Sequence, residues 1–122
     1  MKMVDIRDYV GKIIKKCEFK ESDEIKLIFL DNTYLRVTDS PNLCCEIRYF
    51  TCDDDFQHLE GSVFYGFEVK EGPTEYDYYG EHEIKFLELQ TSSGFATFAA
   101  HNEHNGYYSG INIRLGGGLH FD

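Results

Sequence analysis

The chain has no tryptophan, only two prolines, and no apolar run long enough for a signal-peptide core or a membrane span. Basic residues are scarce as well: 12 Lys and Arg stand against 22 Asp and Glu, a formal net charge of −10. A field of that sign repels nucleic-acid polymers and anionic membranes, because non-specific duplex binding needs many cationic phosphate contacts. It leaves room for a small anionic ligand met locally by a few Arg and backbone N–H groups. The phosphate-binding loops GxGxxG and GxxxxGKS are absent, and so are internal repeats, heptads and long linkers. The four cysteines, Cys17, Cys44, Cys45 and Cys52, form no CxxC pair. Without a secretory signal, that pattern predicts neither a zinc site nor a disulfide scaffold, and it predicts a reducing cytoplasm as the compartment.

What the chain does have is aromatic rings: nine Tyr and ten Phe among 122 residues, a bias toward strands. The length predicts one domain over 1–122 with a core that needs no metal or disulfide staple. The patterning predicts an α+β fold, mainly antiparallel β-sheet with one or two short helices. Val4 to Val10 has helical spacing and ends at Gly11. Lys12 to Phe19, Ile25 to Leu30 and Tyr34 to Val37 alternate and are separated by turn residues, which predicts a three-stranded meander. Leu43 to Phe50 is too short and mixed for periodicity to decide. Asp53-Asp54-Asp55 resembles a helix N-terminus and predicts a short helix over Asp54 to Leu59, ended at Gly61.

Ser62 to Lys70 is expected to be a strand with Val63, Tyr65, Phe67 and Val69 on one face and Phe64 on the other. Glu71-Gly72-Pro73 is expected to end it, and Thr74 to Gly80 to form a polar aromatic loop. Glu83 to Thr91 and Phe95 to Ala100 flank Ser92-Ser93-Gly94 as a second hairpin. Ile111, Ile113 and Leu115 alternate in a last strand, and Gly116-Gly117-Gly118 is expected to be a flexible exit from it.

The stretch richest in chemistry is His101-Asn102-Glu103-His104-Asn105-Gly106-Tyr107-Tyr108-Ser109-Gly110. It is too polar for core and reads as the edge of a binding site. His101, Glu103 and His104 carry metal-type donors, but they lack HExxH spacing and an evident further histidine, so structural or ligand-contacting histidines are favoured and no metal ligand is assigned. A Cys nucleophile with a His base could draw on Cys44, Cys45, His101 and Asn102, yet free cysteines more often act as small core hydrophobes. No catalytic residue is assigned. What remains is a recognition inventory: Tyr and Phe to stack a planar base, Asn to bond base edges or ribose, and Arg to grip phosphate. Arg48 and Arg114 are the arginines nearest these segments. The competing reading is that Tyr107 and Tyr108 pack a sheet and the Asn side chains stabilise a turn.

Cys44-Cys45-Glu46, the acidic segment with Leu59-Glu60-Gly61, an aromatic strand and the closing Asn105-Gly106-Tyr107-Tyr108-Ser109 resemble, in that order, a family of small phage and prophage proteins. That family includes the first type of Thoeris anti-defence protein. Its members are sponges that sequester cyclic ADP-ribose signals made by TIR-domain proteins, and some also hold cyclic oligonucleotides of the CBASS system. The resemblance implies an α+β fold, a homo-oligomer (a dimer or a multiple of dimers), and binding of a small anionic cyclic nucleotide without turnover or cofactor. The expected ligand-binding residues are Arg48, Phe50, His101, Asn102, His104, Asn105, Tyr107, Tyr108 and Arg114. Weight falls on Asn105 to Tyr108, with His101 and His104 at the rim. The alternatives are a Cys/His-dependent hydrolase of such a nucleotide and a protein-interaction module without a nucleotide ligand.

Overall fold

A computed structural model describes residues 2–20, 24–41, 46–77, 80–105 and 110–120. Its strands are β1 (Lys2–Met3), β2 (Ile14–Lys20), β3 (Glu24–Phe29), β4 (Thr33–Thr38), β5 (Glu46–Cys52), β6 (Phe64–Asp77), β7 (Gly80–Thr91), β8 (Gly94–His104) and β9 (Arg114–Leu119). They form two antiparallel sheets, β1-β9-β4-β3-β2 and β5-β8-β7-β6. The helical content among the described residues is two 3₁₀ turns, Ile6–Asp8 and Gln57–Leu59. No helix among them is long and apolar enough to cross a membrane.

The expected meander is β2-β3-β4. Its second turn is closed by Asp31, whose carboxylate accepts the Thr33 N–H at 3.0 Å, and by Asn32 in the left-handed region at φ 65°. Alternation along β3 and β4 turns Ile25, Leu27, Phe29, Leu35 and Val37 inward. They meet Phe50, Phe64, Leu87, Leu89, Ala96 and Phe98 from the other sheet in one buried cluster. Removing these side chains from water is the main favourable term, at about 1.5–3 kcal/mol for each large one. Backbone hydrogen bonds stitch the sheets together where the chain enters β2 and β6, with Phe64 N–H donating to Lys12 C=O and Gly11 N–H to Phe64 C=O, both at 2.8 Å.

Three expectations are corrected. The first concerns β6, where Phe64 pairs with Thr91 and Gly66 with Gln90, so Tyr65 is the extra residue of a bulge. The bulge puts Phe64 on the core side together with Phe67, with ring centroids 5.7 Å apart, and turns Tyr65 outward, while Val69 keeps the Phe67 face as expected and is exposed there. Pro73 does not end this strand. It lies at a second irregularity between Glu71 and Thr74 on an edge strand, where no ladder donor is needed, and pairing continues to Asp77. The expected loop from Thr74 is thus strand as far as Asp77, and residues 78–79 lie outside the described residues.

The second concerns the glycine triplet, which is no exit. Gly116, Gly117 and Gly118 pair with Arg36, Leu35 and Tyr34 inside β9. A Cβ on Gly117 would lie 2.7 Å from the Tyr34 backbone oxygen and would collide with the Tyr9 hydroxyl. Gly117 lets the Tyr9 side chain lie close against the sheet. The third concerns the acidic run. The Asp54 carboxylate accepts the Thr97 N–H of β8 at 2.7 Å, and Asp55 accepts from Gln57 N–H at 2.9 Å. Their capacity is spent on the neighbouring strand and one turn, so only Gln57–Leu59 becomes helical.

Candidate functional site

The undecided segment becomes β5, paired with β8, and β8 in turn pairs with β7. Across these three strands Arg48, Asn102 and Glu83 share one register position, Tyr49, His101 and Ile84 the next. Because side chains alternate, the polar stretch is divided between two faces rather than gathered into one site.

On the outer face His101 stacks on Tyr49, with ring centroids 4.6 Å apart and planes 7° from parallel. His82 lies beside them, its Nε2 2.8 Å from His101 Nδ1, and Thr51 Oγ1 lies 2.8 Å from His101 Nε2. A single neutral imidazole satisfies both contacts, donating from one nitrogen and accepting at the other. Burial lowers the His101 pKa, the neighbouring His82 lowers it further, and Glu103 and Glu75 oppose the shift. Burial, and then a hydrogen bond to the Glu103 carboxylate, push the Tyr49 phenol up to about 12. β5 is an edge strand of the described sheet, so among the described residues no further strand lies beyond Tyr49. A shallow cavity of about 150 Å³ flanks Thr51, lined also by Cys52, Asp54, Phe86 and Thr97.

On the inner face Arg48 is held between two carboxylates. Nε and Nη2 donate to Glu46 at 2.9 and 3.0 Å, and Nη1 to Asp39 at 3.0 Å, with 8% of the Arg48 side chain exposed. The same Asp39 oxygen accepts the Asn112 N–H at 2.8 Å. Asn102 donates to Gly110 C=O at 3.0 Å, and Gly110 N–H donates to both oxygens of Glu83 at 3.1 Å. His104 Nε2 is 2.6 Å from Glu83 Oε1 and 3.8 Å from Glu81 Oε2. These contacts tie the segment 110–112 across the end of the sandwich.

The sequence-derived residues therefore separate. Arg48, Asn102 and His104 belong to the buried inner network, and Phe50 is 1% exposed within the core, so these four are not a solvent-facing ligand surface. His101 is partly exposed on the outer face and Asn105 is exposed. Tyr107 and Tyr108, like Cys44 and Cys45, lie outside the described residues. Arg114 sits in the other sheet opposite Thr38, half-buried and without an ion pair among the described residues. Arg7 pairs with Asp5 and Arg36 with Glu24, which leaves Arg114 as the uncommitted arginine among them. Of the described thiols, Cys17 is pushed by burial up to about 12 and Cys52 is raised by burial, so neither offers thiolate at neutral pH.

Sequence reasoning missed Tyr49, Thr51 and His82, and on the inner face Asp39, Glu81 and Glu83. One signal was present: a two-residue turn at Ser92-Ser93 sets the pairing of the whole β7–β8 hairpin and places Glu81 and Glu83 beside the histidine stretch. Residues 7–113 match the model of a family described as Domain of unknown function (DUF7448), and the chain belongs to that family. No curated protein and no solved structure matches it.

Proposed function

We propose that this DUF7448 protein is a phage-encoded anti-defence protein of the host cytoplasm that captures a cyclic nucleotide signal and holds it without cleavage. The cyclic ADP-ribose isomers are the leading ligand class and cyclic oligonucleotides the second. The observation that carries the reading is the Tyr49–His101 stack, two near-parallel rings of which Tyr49 stands on an edge strand of the described sheet. A planar base placed on the outer face of Tyr49 would extend that stack. Arg114 lies in the other sheet, so its uncommitted guanidinium would meet the phosphate from a second copy of the chain, and the resemblance through Asn105 to Ser109 supplies the ligand class. The cavity beside Thr51 is smaller than the roughly 300–1,000 Å³ of ordinary small-molecule sites. A second copy of the chain would complete the site, in keeping with a homo-oligomer.

A hydrolase is the competing class, and the contacts from His82 through His101 to the Thr51 hydroxyl are what favour it. Native mass spectrometry of the protein with cyclic ADP-ribose separates the two. A sponge gains the intact ligand mass and releases the same species on denaturation. Recovery of a linear product, or no mass gain at all, overturns the proposal.

A further inference from the structure

We propose that Glu81, Glu83 and His104 form a site for one divalent first-row cation, Zn²⁺ foremost. The inference is independent of the nucleotide reading, since Tyr49 and His101 stand on the opposite face of the sheet. Glu81 and Glu83 are two apart on β7 and project to the same side, and His104 is the direct cross-strand partner of Glu81. The hairpin thus brings two carboxylates and one imidazole together, with all three donor atoms within 4.8 Å of one another. A tetrahedral cation with bonds of about 2.0–2.2 Å needs its donors about 3.4 Å apart. The observed separations from His104 Nε2, 2.6 and 3.8 Å, bracket that value, so small side-chain rotations suffice.

Charge argues the same way. Glu81 and Glu83 have no Lys or Arg partner among the described residues, and the nearby Arg48 is already claimed by Asp39 and Glu46. Two carboxylates facing a buried imidazole leave negative charge that a dication neutralises. The His104 side chain is fully buried and that of Glu83 is 20% exposed. Glu83 is further oriented by the Gly110 N–H, which reaches both of its oxygens, as metal-binding carboxylates commonly are.

An independent sign comes from Asn102, the cross-strand partner of Glu83. This side chain is completely buried, yet its Oδ1 has no hydrogen-bond partner among the described residues. An unpaired buried carbonyl is costly, and a metal-bound water at this place would donate to it. One nitrogen and two carboxylate oxygens suit Zn²⁺ first and Mn²⁺ more weakly. Ca²⁺, which takes six to eight oxygens, is disfavoured.

The test is calorimetric titration of chelator-treated protein with ZnCl₂, using the wild type, Glu81→Gln, Glu83→Gln and, as a control just beyond β9 of the other sheet, His120→Gln. The site predicts one equivalent of Zn²⁺ per chain. Affinity falls at least about 10-fold in both Gln variants and is unchanged in His120→Gln. Glu81 is the most exposed of the three, so Glu81→Gln keeps the test valid if Glu83→Gln fails to fold. X-ray absorption of the zinc complex must show nitrogen and oxygen donors without sulfur. Absence of binding, equal affinity in Glu81→Gln, or sulfur coordination by the cysteines overturns the proposal.

Discussion

His101 is stacked on Tyr49 and at the same time hydrogen-bonded through both ring nitrogens, to His82 and to Thr51. Burial makes the charged imidazolium unfavourable there, so the folded protein binds this proton less readily than the unfolded chain, whose histidine titrates near 6.5. Stability is therefore whole above about pH 6.5 and is lost as pH falls toward the depressed folded value. Melting temperatures measured between about pH 5 and 7 should drop more steeply for the wild type than for His101→Gln. Parallel profiles would show that this imidazole does not titrate with folding.

Arg48 is a structural ion-pair centre. Arg48→Met leaves Glu46, whose carboxylate is fully buried, without its main partner, and should cost about 3–5 kcal/mol in denaturant unfolding. Arg114→Ala, at a site with no described ion pair, should leave unfolding nearly unchanged and weaken nucleotide binding. Equal stability losses in both variants would contradict this division of roles.

Phe50 separates core from site in the same way. It is 1% exposed and packed in the inter-sheet cluster, so Phe50→Ala should lower stability by about 3–5 kcal/mol. A loss of ligand affinity at unchanged stability would return Phe50 to the binding surface.

Gly117 is required by the hydroxyl end of Tyr9. Gly117→Ala forces a methyl group against Tyr9 and the Tyr34 backbone and should destabilise by about 1–3 kcal/mol. Adding Tyr9→Phe, which removes the colliding hydroxyl, should recover part of that loss in a double-mutant cycle.

The meander and the β7–β8 hairpin were legible because alternation and tight turns are local signals. The β6 bulge was not. One extra residue at Tyr65 puts Phe64 on the same face as Phe67, and its mark in the sequence, the isolated Gly66 at φ 134°, went unused. The glycine triplet was misread because its justification, the Tyr9 side chain, lies more than a hundred residues away in the chain. The polar stretch was recognised as chemically rich but read as one site. Strand alternation turns His101 outward to Tyr49 and His104 inward to Glu83, a division that follows once the stretch is known to be extended. Tyr49 escaped notice because the conformation of its own segment was undecided.

The central claim is that Tyr49 is the platform for a nucleotide base. Isothermal titration of cyclic ADP-ribose into the wild type, Tyr49→Phe and Tyr49→Ala tests it most directly. The account predicts binding by the wild type, near-normal affinity in Tyr49→Phe, and a loss of about 1–3 kcal/mol in Tyr49→Ala. Undiminished affinity in a folded Tyr49→Ala, or no binding by the wild type, would contradict it.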